Sequence, residues 1–330
     1  MTKKLNISHL KSGGIITNYY CSSSCSHCLY RCSPEWPQKY IDHKTAHHNL
    51  EILKSLGCDS IHIGGGEPFL NIPELIRVVD QINKMSINIE YIETNSSWFK
   101  NSKSAEETLC ILLDHGVKNL LISISPFHNE FVPFVKVKNL INSCYKTGIY
   151  PFFWIPDFLP EICSLDNSRV HSLEEYENLF GAEYISQALD RYMICPGGRA
   201  QNLFSKYRKR YTINNIFSVE SSSGCTELSC TDHFHFDLFG NFIPGLCSGL
   251  SIDAGDLGKQ LSPDKYPIIS CLHSKGIKGF FYYAMEEYGY IANKPSYSSK
   301  CELCFEIRKF LVAEAKISSR ELLPLEFYSS

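Results

Sequence analysis

Short apolar runs alternate with helical patterns through the first half of this chain, and that alternation restricts its fold more than any other feature. Residues 14–20, 60–63, 88–93, 119–125 and 149–155 read as strands. Residues 45–56, 72–85, 105–115 and 135–146 read as helices, three of them stopped by Gly57, Gly116 and Gly148. A weaker run over 194–200 is counted as a sixth strand. Strand and helix in turn call for parallel strands joined by helical crossovers. About six units fall short of eight, so the expected fold class is α/β, a partial (β/α)6 TIM-like barrel. Functional residues in such barrels gather where strands end and loops begin.

Four of the strand ends carry chemistry-bearing residues. The first leads into Cys21-Ser-Ser-Ser-Cys25-Ser-His-Cys28, closely followed by Cys32. Three thiols on one loop can converge on a small metal centre. Four thiolates would close a [4Fe–4S] cluster, whereas three leave one iron open to a ligand that is not protein. A zinc knuckle remains open from spacing alone, with His27 or Cys32 as fourth ligand. The second strand runs into Gly64-Gly65-Gly66-Glu67-Pro68, where three residues without side chains let backbone approach a ligand. A turn ahead of a helix would explain the same letters. The third strand ends at Thr94-Asn95 and the fourth at Ser123-Ile-Ser125.

Composition narrows the classes. The 330 residues are 44% hydrophobic and 20% charged, as in ordinary globular chains. With a net charge of -3 and one short basic run, Lys206-Tyr-Arg208-Lys209-Arg210, no nucleic-acid partner is expected. No apolar window reaches membrane-spanning length, and the N-terminus lacks a signal-peptide core. Fifteen cysteines without a secretion signal point to metal ligation in the cytoplasm rather than to disulfides. From about Lys206 the rhythm changes, giving expected domains of 1–205 and 206–330. In the second, 221–224 reads as a loop, 233–237 and 241–244 as a hairpin around Phe239-Gly240, and 277–287 and 305–316 as helices.

The C-x3-C-x2-C loop after a first strand, followed one strand–helix unit later by Gly65–Pro68, resembles the signature of the radical S-adenosylmethionine (SAM) superfamily. The resemblance implies that Cys21, Cys25 and Cys28 hold a [4Fe–4S] cluster whose open iron binds SAM. It implies that Gly65, Gly66, Glu67 and Pro68 place the amino group of SAM, with Thr94, Asn95, Ser123 and Ser125 as further polar contacts. Arg199, in Cys195-Pro-Gly-Gly-Arg199, is a candidate for forking onto a carboxylate of SAM or substrate. Reductive cleavage of SAM would give a 5′-deoxyadenosyl radical that takes a hydrogen atom from substrate. A one-electron donor such as flavodoxin or ferredoxin would be a partner.

Cys230, Gly240, Cys247 and Cys301-x2-Cys304 resemble a SPASM/twitch-type domain, implying a small C-terminal α+β iron–sulfur unit with an auxiliary [4Fe–4S] cluster. Cys225 rivals Cys230 as first ligand, and a zinc ribbon of Cys225, Cys230, Cys301 and Cys304 is the structural alternative. No cysteine follows Cys304, so one auxiliary cluster is expected.

The likeness is greatest to peptide epimerases acting on ribosomal peptides, through Cys32, the Ser123-to-His128 segment, the hairpin before Cys247, and Ser298–Cys304. Those enzymes carry two adjacent cysteines after the hairpin, one of which returns a hydrogen atom to the substrate radical. Here Cys247 stands alone, so Cys225, Cys195 or Cys32 is a candidate donor, or else net oxidation or cross-linking results. Cys225, Cys32 and His128 are thus the candidate catalytic residues.

The expected function is radical SAM maturation of a peptide. Only about 13 residues precede the first strand, too few for a peptide-recognition domain. That leaves open a small-molecule dehydrogenase or mutase acting on a sugar, cyclitol or nucleoside. A non-catalytic iron–sulfur or zinc protein is the alternative of another class.

Overall fold

A computed structural model describes residues 4–219 and 224–329. Five parallel strands, β1 (Gly13–Ile16), β2 (Ser60–Gly64), β3 (Asn88–Thr94), β4 (Asn119–Ile122) and β5 (Tyr150–Phe152), lie side by side in chain order. The helices between them are α1 (His43–Ser55), α2 (Ile72–Lys84), α3 (Ser102–Asp114), the short α4 (Pro126–Asn129) and α5 (Phe134–Thr147). Local chemistry sets their limits. Asp42, Asn71 and Asn101 cap α1, α2 and α3 by accepting from the N–H three residues on. Gly148 ends α5 in the left-handed conformation, at φ 86°. On α2, Leu75, Val78, Val79 and Ile82 form the buried stripe that packs on the sheet.

The sixth strand expected over 194–200 does not form. Pro196, Gly197 and Gly198 keep that segment in a loop, and Ala200 opens the helix Ala200–Tyr207. The place beside β1 is taken instead by β6 (Phe234–Phe236), which pairs with it in parallel. β7 (Asn241–Ile243) and β8 (Ile252–Asp253) follow antiparallel, giving one open sheet in the order β5-β4-β3-β2-β1-β6-β7-β8. The barrel is therefore partial, with five strand–helix units among the described residues, and residues 206–330 contribute three strands to the same sheet.

The expected hairpin is present, its turn held by Asp237, which accepts from Phe239 N–H and Asn241 N–H at 2.9 Å each. The two C-terminal helices start earlier than the sequence pattern suggests. One runs Pro267–Tyr288 with a break at Gly276, the other Lys300–Ala313 from a Ser299 cap. Most of the loop expected over 221–224 lies outside the described residues. No described helix is long and apolar enough to cross a membrane.

Candidate active site

β1 is shorter than expected because the chain turns at Thr17 to lie along the end of β2. Thr17 N–H donates to Gly64 C=O at 3.0 Å, Gly66 N–H to Asn18 C=O at 2.7 Å, and Glu67 N–H to Tyr20 C=O at 3.2 Å. Gly65 holds φ 148°, and a Cβ on Gly66 would stand 2.1 Å from the Tyr20 carbonyl oxygen. Only glycine fits at both. The backbone of Gly65 and Gly66 thus lines a cavity of about 310 Å³ together with Cys21, Cys25, Cys28 and Pro68.

The cysteine loop is shaped by its own backbone bonds, Cys21 N–H to Ser33 C=O and Cys28 N–H to Cys25 C=O, each 3.1 Å. Cys21 and Cys25 are buried and Cys28 half-buried. Two donors already face sulfur: Asn95 Nδ2–H at 3.3 Å and Ser23 N–H at 3.4 Å, both to Cys21 Sγ. Burial, with neighbouring negative charge, pushes Cys21 up to about 12 and Cys25 well above the ordinary thiol range. Cys28 is drawn down by a hydrogen bond from the Cys32 thiol. Buried thiols of this kind lose their protons to a metal rather than to water. Three sulfurs on one cavity wall, with Cys32 as hydrogen-bond donor to one of them, fit a cluster that keeps an open iron.

Glu67 does not share the cavity surface. It is fully buried and accepts from Phe69 N–H at 3.2 Å, Thr94 Oγ1–H at 3.0 Å and Asn95 N–H at 2.7 Å. Burial nevertheless pushes its carboxyl up to about 7. The side chain locks the ends of β2 and β3 together and so aims Asn95 at Cys21. Glu67→Ala would strand three buried donors, an expected loss of about 3 to 5 kcal/mol. Thermal melting of the variant checks this, and a melt unchanged from the parent would refute the locking role.

Thr94 and Ser123 line the cavity, whereas Ser125 does not. Ser125 caps α4, accepting from His128 N–H at 3.3 Å and bonding His128 Nδ1 at 2.7 Å. His128 lines the cavity edge-on to His27, their rings 4.5 Å apart. Burial keeps both neutral, His128 falling to about 4 and His27 well below its usual value. Cys25 Sγ and one ring nitrogen from each of these histidines lie within 4.8 Å of one another, a smaller metal-ligand set on the same wall.

Residues 15–146, from β1 through almost all of α5, match the family model of the radical SAM superfamily. That match marks residues 15–146 as a radical SAM segment. YydG of Bacillus subtilis (strain 168), to which a role in peptide biosynthesis is ascribed, is 24% identical over 200 residues. That match covers 61% of this chain and 58% of YydG, so the chain spans less than two thirds of this curated relative. Among solved structures, native anSMEcpe with bound AdoMet is 14% identical, with 84% of this chain and 98% of that one covered at a TM-score of 0.43. SuiB of Streptococcus suis, bound to S-adenosylmethionine, is 15% identical, with 75% and 64% covered at a TM-score of 0.36.

Beyond the matched segment, Arg199 acts on the cysteine loop itself. Its Nε donates to Cys25 C=O at 2.9 Å, its Nη2 to Cys32 C=O, and its backbone N–H to Cys28 C=O at 3.0 Å. The guanidinium expected to fork onto a ligand carboxylate is spent on strapping the cysteine loop. Gly198 allows this approach, since a Cβ there would stand 2.2 Å from the Leu29 carbonyl oxygen. The Pro-Gly-Gly before Arg199 was the available signal, readable as close backbone docking rather than as a strand.

A second cavity, about 600 Å³, is lined by Cys225, Cys247, Cys301 and Cys304. Cys301 and Cys304 sit one turn apart at the start of the helix Lys300–Ala313. The free thiol of Cys225 shares a hydrogen bond with Cys247 and donates to Glu227 Oε2 at 3.0 Å. Cys230 does not line this cavity. Burial pushes Cys301 up to about 12 and raises Cys304, and the hydrogen bond with Cys225, with burial behind it, raises Cys247. Arg308 is only 5% exposed and supplies the opposite charge, bonding Cys304 as well as Ser248 C=O at 2.9 Å. Four thiols beside a buried guanidinium suit a closed, Cys-ligated cluster. Cys195 lines both cavities.

Proposed function

We propose that this chain is a radical SAM enzyme that modifies a peptide, with residues 1–205 holding the SAM-binding cluster and residues 206–330 an auxiliary one. The observation that carries this is the meeting of Cys21, Cys25 and Cys28 with the bare backbone of Gly65 and Gly66 in one cavity. When bound, the cluster and SAM supply a 5′-deoxyadenosyl radical that abstracts hydrogen from substrate. The chain's own residues do the positioning. Asn95 donates to Cys21 sulfur, Arg199 holds the loop carbonyls, and Thr94 and Ser123 present polar atoms beside the glycines. Likeness to YydG supports a peptide substrate, and a one-electron donor of the flavodoxin or ferredoxin type in the cytoplasm would complete the system.

Cys225, Cys247, Cys301 and Cys304 together favour net oxidation or cross-linking over epimerisation. With all four committed to the auxiliary cluster, none of them is free to return a hydrogen atom; Cys195, which lines both cavities, is the thiol left there as a candidate donor, and Cys230 stands outside.

Protein purified without oxygen and reconstituted with iron and sulfide should carry about eight irons per chain, two Cys-held cubanes. With dithionite and SAM it should release 5′-deoxyadenosine. Zinc in place of iron, or no nucleoside under any reductant, would sink this reading. For a peptide product, mass spectrometry in deuterated water separates the outcomes. Loss of two hydrogens marks oxidation or cross-linking, whereas gain of one deuterium marks epimerisation.

A further inference from the structure

Inside the barrel lies a group of polar side chains that none of the steps above uses. His62 comes from β2, Tyr91 and Glu93 from β3, His235 from β6, His233 from just ahead of it, and Tyr30 from the cysteine loop. Two glycines clear the space. A Cβ on Gly14 in β1 would stand 2.5 Å from His62 Nε2, and one on Gly64, at the end of β2, 2.9 Å from Glu93 Oε2. Glycine inside a strand weakens it. Here it makes room for a histidine and a carboxylate, which apolar packing would never require.

His62 and His235 are satisfied by each other and their neighbours. His62 donates to the Gly13 backbone, so its Nε2 accepts from His235 Nε2–H at 2.9 Å. His235 Nδ1 then accepts from the Tyr30 hydroxyl at 2.7 Å. Burial holds all three rings neutral, His62 falling to about 3, with His233 and His235 also lowered.

Glu93 is the member left over. Its carboxylate makes no hydrogen bond among the described residues, and its nearest basic atom is the neutral His62 Nε2 at 3.9 Å. The side chain is 40% exposed, within the cavity that it lines. It is nonetheless set deeply enough that burial, with Cys28 nearby, pushes its carboxyl up to about 7. The other groups that feel its charge are Tyr30, Tyr91, Tyr192 and Glu67, none of them cationic. Arg199, which lines the same cavity, is bound to the Cys25 and Cys32 carbonyls. The aromatic rings of Tyr91, Tyr192 and Trp154 line the cavity too, beside Tyr30. A carboxylate partly removed from water and without a counter-charge gains from a cation, and aromatic faces favour cations.

We propose that Glu93 anchors a cationic, N–H-donating group of the substrate, a primary ammonium or a guanidinium, with Tyr91, Tyr192 and Trp154 as the surrounding walls. This rests on the radical SAM reading, because it takes the cavity beside the cysteines as the substrate's. For a peptide it selects a lysine or arginine side chain or a free N-terminus; for a small molecule, an amine. SAM also carries positive charge, so the test separates the two sources.

The test is isothermal titration calorimetry on reconstituted protein with SAM bound. The probes are acetyl-Ala-Ala-Lys-Ala-Ala-amide against its norleucine counterpart, and n-pentylammonium against 1-pentanol. The lysine peptide should bind about thirtyfold more tightly than the norleucine one, and Glu93→Gln should erase the difference. Iron content and melting of the variant should match the parent, because Glu93 makes no hydrogen bond to lose. SAM affinity, titrated separately, should stay within about twofold. Four results would overturn the proposal: peptide binding without preference for lysine, a preference that survives in Glu93→Gln, loss of SAM affinity in that variant by the same factor, or no binding by any cationic probe. A Glu93-dependent preference for pentylammonium with neither peptide bound would keep the subsite and reject the peptide substrate instead.

Discussion

Replacing Cys21, Cys25 and Cys28 together with alanine should lower reconstituted iron from about eight to about four per chain and abolish 5′-deoxyadenosine formation. The variant should still fold. The main bonds that shape the loop run to backbone carbonyls, from Cys21 N–H to Ser33 C=O and from Arg199 to the carbonyls of Cys25 and Cys32, and only the weaker bonds to sulfur, from Ser23 N–H and Asn95 to Cys21 and between Cys32 and Cys28, are lost. Removing three thiols also relieves the burial that pushes Cys21 and Cys25 so far up. The second cavity draws its thiols from other segments, so its four irons should remain. Iron analysis with electron paramagnetic resonance of the reduced protein reads the first expectation, and chromatography of the nucleoside the second. Nucleoside released at parental rates would remove these cysteines from the chemistry. Iron falling to zero would mean that the two sites do not assemble independently.

The second large effect distinguishes two cysteines five residues apart. Cys225→Ala should leave about four irons, or a labile auxiliary cluster, while Cys230→Ala should keep about eight. Cys225 is delivered to the cavity by long-range contacts. Its N–H donates to Leu272 C=O at 2.8 Å, and Gly224 packs so closely that a Cβ there would stand 1.6 Å from the His273 carbonyl oxygen. Both partners lie on the helix Pro267–Tyr288. Cys230 faces elsewhere, close enough to Lys11 to act on its charge. The reverse result, iron lost only from Cys230→Ala, would require this segment to rearrange when metal binds.

The two cysteines also mark the limit of reading by spacing. Both lie at acceptable distances in sequence from Cys247, and the choice depends on a docking surface formed by residues nearly fifty positions away. Arg199 teaches the same point from the other side. An arginine among glycines reads as a ligand fork, but its guanidinium and backbone N–H reach three carbonyls of the cysteine loop. Glu67 lies within the most recognisable motif, yet its carboxylate turns inward to Thr94 and Asn95, and it is the glycines before it that border the cavity.

What the sequence determined by itself is local in origin. Capping residues and glycine stops set helix ends, apolar runs set five parallel strands, and the cysteine and glycine stretches placed the candidate metal site at the ends of β1 and β2. Each of these signals acts across a few residues, within reach of one turn or one loop. Tertiary structure decided what depends on distant segments meeting: β6 rather than a sixth barrel strand beside β1, Arg199 as a strap, and Cys225 in the second cavity. It also set Glu93 over Gly64 without a cation. Backbone approach and charge balance are properties of assembled surfaces, and no spacing along the chain encodes which surfaces will face each other.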